Sequence, residues 1–231
     1  ALSSLSPIAV AEETVTTDSA VPAVMPTAPA VAESWTARIL YPVVARKTAG
    51  PDGKAYKKLR HYTPWSQGAA VYMVTESTMV GETAWVRLHL PFRPNGTQGW
   101  VPAEAVELKK TTTWIRVSTK GRSIKVFKNG KVAKTFKVAV GAGRTPTPKG
   151  LFAIYDPVRA NGQLGPHILV LTAHSNVLKT FAGGDGIAAI HGWPSSSVLG
   201  KAVSNGCIRM SRDGVRALAR YAQAGIPVEI V

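Results

Sequence analysis

Ile190-His191-Gly192-Trp193, followed after a short spacer by Ser204-Asn205-Gly206-Cys207-Ile208-Arg209-Met210, is the stretch around which this chain is organised. It holds the only cysteine, Cys207, with His191 sixteen residues before it, in the part of the chain richest in Gly and Ser. A thiol is a poor nucleophile until a base makes it a thiolate, and His191 is the nearest imidazole in sequence. The pattern therefore points first to nucleophilic acyl transfer. Taken alone, Cys207 would equally read as a small buried hydrophobe; the His, Ser and Gly residues around it weigh against that.

Working outward, the surroundings read as short strands with one helix. A strand over 187–190 delivers His191 at its end, and Ile168-Leu169-Val170-Leu171 is a short buried strand. After Cys207, Ser211 is a helix cap, with Asp213 in the first turn, Val215, Leu218, Ala219 and Ala222 at helical spacing, and Gly225 as the stop. A terminal strand follows over 227–231. Upstream, Trp114-Ile115-Arg116-Val117 and Ser123-Ile124-Lys125-Val126-Phe127 alternate, and Lys128-Asn129-Gly130-Lys131 predicts a two-residue hairpin turn into a strand over 132–140. The glycines of 141–150 invite a phosphate-loop reading, but Pro146 and Pro148 forbid the helix start such a loop needs. A loop is expected there and over 156–166, with a strand over 151–155 between them.

His191-Gly192 and Ser204-Asn205-Gly206-Cys207-Ile208-Arg209-Met210 together resemble the signature of the bacterial L,D-transpeptidases, the YkuD-type catalytic domain. The resemblance extends over roughly 112–231. One residue departs from it: many members carry a histidine between the Ser and the Gly, where this chain has Asn205. The order of the two residues agrees with it, since papain-like and cell-wall endopeptidase cysteine enzymes place the cysteine first and the histidine well downstream. The resemblance implies a YkuD-type β-sandwich catalytic domain with a short helix after the cysteine.

Before it, Ala37-Arg38-Ile39-Leu40-Tyr41, Ala69-Ala70-Val71-Tyr72-Met73-Val74, Thr83-Ala84-Trp85-Val86-Arg87-Leu88 and Gly99-Trp100-Val101 read as strands, broken by the turn Pro94-Asn95-Gly96. This module resembles a bacterial SH3-like barrel, which would either bind wall peptide or dock on the catalytic domain, with Trp85 and Trp100 in its core. The expected organisation is mainly β: a disordered tether over 1–34, an SH3-like domain over 35–110 and a catalytic domain over 111–231, with 107–112 as a short linker.

The tether reading rests on composition. Residues 1–34 are Ala, Val, Pro, Ser and Thr with four acids and no Lys or Arg. The rest therefore has nine acids against all 28 Lys and Arg, a formal +19. Such a charge implies an anionic partner: nucleic acid, a membrane surface or an acidic wall polymer. With neither a recognition helix nor an aromatic RNA-binding strand, no nucleic acid is expected. No run of 18 apolar residues is present to span a bilayer. The start at Ala1, without methionine or apolar signal core, reads as processed or trimmed, so export to the cell wall or the space equivalent to a periplasm is inferred rather than seen.

A thiolate mechanism assigns Cys207 as nucleophile and His191 as base. The resemblance implies that the carbonyl of Gly192 holds the imidazole in place of an acid. Gly206 leaves room for a substrate carbonyl, and the amides of Asn205, Gly206 and Cys207 are candidate oxyanion donors. Ser204 is read as hydrogen-bonding within the site, and Arg209 as holding the loop by an internal ion pair or binding a substrate carboxylate. His174 and Trp193 are candidates for the substrate pocket. His61 and His89 are expected on the surface, and no His or Cys pair has metal-ligand spacing, so neither metal nor cofactor is expected.

The resemblance implies attack on the L-centre at position three of a peptidoglycan stem peptide, release of D-alanine through a thioester, and transfer to an amine to give a 3→3 cross-link. It also implies acylation by β-lactams of the carbapenem type. Water as acceptor would make the same site an L,D-carboxypeptidase. A non-catalytic peptidoglycan-binding protein is the rival from another class.

Overall fold

A computed structural model describes residues 25–180 and 184–231. Most of the expected tether, 1–24, lies outside the described residues. Its last part does not behave as a tether: Met25 packs against the first core, the carbonyl of Pro26 accepts a hydrogen bond from Ser77 Oγ (2.5 Å), and Ser34 already opens a strand.

The chain is mainly β. In order, its strands are β1 Ser34–Ile39, β2 Val43–Arg46, β3 Ala55–Leu59, β4 Val71–Val80, β5 Thr83–His89, β6 Gln98–Pro102, β7 Val106–Thr111, β8 Thr113–Ser118 and β9 Ser123–Lys128. There follow β10 Lys131–Lys137, β11 Val140–Gly141, β12 Gly150–Arg159, β13 His167–His174, β14 Ile187–Trp193, β15 Ala202–Ser204, β16 Ile208–Ser211, the helix α1 Arg212–Ala219 and β17 Pro227–Ile230. Strands β1 to β7 make one sheet, in the order β3-β2-β6-β5-β4-β1-β7. A second runs β10-β9-β8-β17-β12-β13-β14-β16, and β11 pairs with β15 in a small parallel ribbon. Each large sheet has its own apolar core. Among the described residues no helix is long and apolar enough to cross a membrane.

Local chemistry accounts for the framework. Asn129 and Gly130 both have positive φ (52° and 74°), which the tight turn between β9 and β10 requires. Lysines along the exposed edge strand β10 keep it from pairing further. Ser211 Oγ accepts the Gly214 N–H at 3.0 Å to cap α1, and Val215 and Leu218 are buried beneath the sheet. Those two side chains contribute roughly 1.5–3 kcal/mol each by leaving water. Gly225 (φ 83°) lets the chain turn back into β17.

Several expectations are corrected. Residues 107–112 are not a linker: β7 pairs with β1 along its whole length, from Ser34 opposite Thr111 to Ile39 opposite Val106, and β8 begins two residues later. Lysines on its outer face disguised it. The loop over 156–166 starts late, because β12 continues through a register shift to Arg159. His89 is not on the surface: it is 2% exposed, its ring meets Phe152 of the second sheet edge-on at 6.2 Å, and burial holds its pKa down at about 4. His61 is exposed, and Trp85 and Trp100 are buried.

The two sheets are docked on each other. Tyr155 stacks on Tyr72 at 6.1 Å and meets Trp65 edge-on, and Asp156 Oδ2 accepts the backbone N–H groups of Trp65 and Ser66 at 3.0 and 3.1 Å.

Candidate active site

Strands β14 and β16 are parallel neighbours, with Ile190 beside Ile208, His191 beside Arg209 and Gly192 beside Met210. Side chains alternate across a sheet, and residues in register share a face. Ile190, Ile208 and Met210 are fully buried in the second core. His191, Trp193 and Arg209 therefore stand on the opposite face, and Cys207, one residue before β16, falls in step with Ala189. His191 and Cys207 are diagonal neighbours on that face, with Cβ atoms on the order of 7 Å apart, a span that a thiol and an imidazole can bridge. The strand carrying His191 does not end there, as expected, but runs on to Trp193.

The imidazole is 5% exposed and fixed by one hydrogen bond, Nδ1 to the Gly192 carbonyl at 2.8 Å. A carbonyl only accepts, so the ring proton lies on Nδ1 and Nε2 is the free base. Gly192 serves a second purpose. A Cβ there would sit 2.0 Å from the Gly165 carbonyl, so any side chain would push the 160–166 loop off β14.

Burial sets the proton affinities. It lowers the pKa of His191, with the Gly192 hydrogen bond opposing and the Arg209 guanidinium adding to the fall. It raises the pKa of Cys207, opposed by the Ala189 amide and by Arg209. Both shifts favour the neutral forms of the two groups.

The turn before the thiol is braced by Ser204, itself buried. Its hydroxyl donates to the Cys207 carbonyl (2.5 Å) and accepts the Gly206 N–H (3.1 Å). Gly206 (φ 114°) occupies a backbone region closed to other residues. Its amide is committed to Ser204, which leaves those of Asn205 and Cys207 as the oxyanion candidates. Arg209 has no internal ion pair among the described residues; its guanidinium lies 3.8 Å from the Trp193 ring centroid, and that ring is 6.0 Å from His191.

A narrow cleft of about 10 Å³, room for hardly one water, ends on Cys207. Pro148 forms one wall and Ser175, Leu178 and Gly186 the other. Trp193 does not line it. Nor does His174, whose ring is wholly buried and hydrogen-bonds Asp185 Oδ2 at 3.0 Å. The Pro148 wall was legible only as a loop: Thr145 Oγ1 donates to the Ser204 carbonyl at 3.0 Å, tying 141–149 to the nucleophile turn. Among the described residues no group of three His, Cys, Asp or Glu could hold a metal ion.

A buried imidazole held by a carbonyl, on one sheet face with a thiol at a cleft's end, is a framework for acyl transfer through a thioester. The family model of the L,D-transpeptidase catalytic domain, YkuD, matches residues 112–230, just over half of the chain, and the chain belongs to that family. Among curated proteins it is similar to the putative L,D-transpeptidase YkuD of Bacillus licheniformis, at 36% identity over 117 residues, 50% of this chain and 64% of that protein. The Bacillus subtilis counterpart matches with the same identity and coverage. The chain thus spans less than two thirds of the curated relatives it matches. Among solved structures, an L,D-transpeptidase from Mycobacterium tuberculosis H37Rv is similar at 15% identity, with 68% of this chain and 97% of that one covered and a TM-score of 0.46. One in complex with imipenem is similar at 18% identity, 68% and 98% coverage and a TM-score of 0.44.

Proposed function

We propose that this protein is a cysteine-dependent L,D-transpeptidase of peptidoglycan. The observation that carries the reading is the hydrogen bond from His191 Nδ1 to the Gly192 carbonyl, which leaves Nε2 free to act as the base. Cys207 attacks the carbonyl of the L-centre at position three as His191 takes the thiol proton. The tetrahedral oxyanion rests on the amides of Asn205 and Cys207. His191 then returns the proton to the departing D-alanine amine, leaving a thioester. A stem amine resolves it to a 3→3 cross-link, and water would give the L,D-carboxypeptidase reaction instead. Arg209, with no carboxylate partner among the described residues, would take a substrate carboxylate, its guanidinium stacked on Trp193.

The division into domains falls between β7 and β8, the first sheet being an SH3-like unit docked on the catalytic one. Export and action at the wall fit that substrate. Exposed Lys125, Lys128, Lys131, Lys134 and Lys137 on β9 and β10 offer anionic wall polymers a basic face.

Intact-protein mass spectrometry after incubation with a carbapenem tests the reading. A mass gain of one opened drug on the wild type, absent in Cys207→Ala, supports it. No adduct, with the thiol also inert to a small alkylating reagent, would favour a wall-binding protein without catalysis.

A further inference from the structure

The Arg93 side chain of the first sheet's β5–β6 turn reaches the second unit and ends on the cleft wall. Its Nη1 donates to the Ser175 carbonyl (2.9 Å), its Nη2 to those of Leu178 (3.0 Å) and Asp185 (2.7 Å), and its Nε to Asp185 (3.2 Å). Two residues on, Asn95 makes a reciprocal pair with the backbone of His174: Nδ2 donates to its carbonyl and Oδ1 accepts its N–H, both at 2.8 Å. Ser175 and Leu178, with Gly186, line the same cleft as Cys207. The packing leaves no slack at Gly186: a Cβ there would stand 2.2 Å from the Leu178 carbonyl and 3.0 Å from Arg93 Nη2, on a backbone at φ 74°.

We infer that Arg93, seconded by Asn95, is a positioning residue for the donor side of the Cys207 cleft, so that the first sheet completes the active site rather than serving only to target it. The inference rests on the transpeptidase reading for what enters the cleft, but not for the clamp itself. A guanidinium suits the task because its rigid fork reaches three carbonyls at once, which the single ammonium of lysine cannot. The clamped carbonyls come from both sides of the wall, Ser175 and Leu178 on one and Asp185 on the other. Without the cation these three carbonyls lose their common partner, while the Ser175 N–H to Gly186 carbonyl bond (2.8 Å), the His174–Asp185 bond (3.0 Å) and the Asn95 pair remain.

The test compares full-length wild type, Arg93→Ala, Arg93→Lys and Asp156→Asn. The last loosens the Trp65–Ser66 contact elsewhere on the interface and touches no cleft residue. Amide hydrogen exchange is followed at Ser175, Leu178 and Ile187, together with Cys207 acylation by a carbapenem and alkylation by iodoacetamide. In Arg93→Ala, exchange at those amides should quicken at least about tenfold, and carbapenem acylation should slow on the order of tenfold to a hundredfold. Alkylation should stay within about twofold, since the thiol itself is unchanged. Arg93→Lys should recover a minor part, and Asp156→Asn should leave the cleft amides alone. Unchanged exchange in Arg93→Ala overturns the inference, as does an equal fall in acylation and alkylation, or the same effect from Asp156→Asn. If the wild type is not acylated at all, the transpeptidase reading fails and the exchange comparison still decides the clamp.

Discussion

His89 offers a prediction whose size follows from its surroundings. The ring is enclosed between the two sheets, 2% exposed and set edge-on against Phe152, and its pKa is held at about 4 against an ordinary 6.5. Well above pH 6.5 neither the folded nor the unfolded chain protonates this group, and it has no effect on stability. As pH falls below 6.5 the unfolded chain takes up a proton that the folded chain refuses, so stability is lost until the folded pKa is reached. Linkage puts the loss at about 2 kcal/mol by pH 5 and about 3 kcal/mol by pH 4. Burial of His174 and His191 lowers their pKa values too and adds loss of the same sign, so the wild type alone cannot isolate the term. The comparison is with His89→Leu, which keeps an apolar contact for Phe152 and cannot titrate. Urea unfolding of both at pH 8 and pH 5 should show the wild type losing about 2 kcal/mol more than the variant between the two. Equal losses would refute the argument, and would mean that water reaches His89 at the interface.

Four further outcomes follow from the site. The acid limb of the pH–rate profile for thiol acylation should have its midpoint below 6.5, since burial and Arg209 lower the His191 pKa and the base form persists to more acid pH; a midpoint above 6.5 would contradict the environment described. Ser204→Ala removes both hydrogen bonds that brace the nucleophile turn and should cost about 2–4 kcal/mol in chemical denaturation, with a larger proportional loss in acylation rate. Gly192→Ala must displace the Gly165 carbonyl from 2.0 Å, and acylation should fall on the order of a hundredfold in stopped-flow measurements while Cys207 still alkylates. Trp193→Ala frees the Arg209 guanidinium from its stacking partner and should raise KM for a tetrapeptide donor about tenfold with little change in kcat, the magnitude of a lost cation–π contact and ordered cation.

What was legible in the sequence, and what was not, divides by the range of the interactions. The hairpin at Asn129-Gly130, the Ser211 cap and the alternation along β8 and β9 are fixed by neighbours within a few residues, and each stands where the sequence puts it. Strand β7 was hidden because its outward lysines imitate a linker and its reason for being a strand is β1, some seventy residues earlier. His89 was misread for the same cause: nothing near it in sequence announces Phe152. In the site, Cys207, His191 and Gly192 were singled out because acyl transfer by a thiol would need those residue types close together. The carbonyl that sterically demands Gly192 belongs to Gly165, and the cleft is lined from Pro148 and from Ser175 and Leu178, whose carbonyls bond Arg93 of the far sheet.

That division bears on how the site works. On the proposed reading, His191 and Cys207 are carried by one strand pair and its own turn, so their proton transfer would need nothing from the first sheet. Ser175 and Leu178 of the cleft are instead pinned from another sheet, through backbone carbonyls that carry no sequence signal. Pro148, on the same cleft, belongs to a loop tied to the nucleophile turn through Thr145 and Ser204.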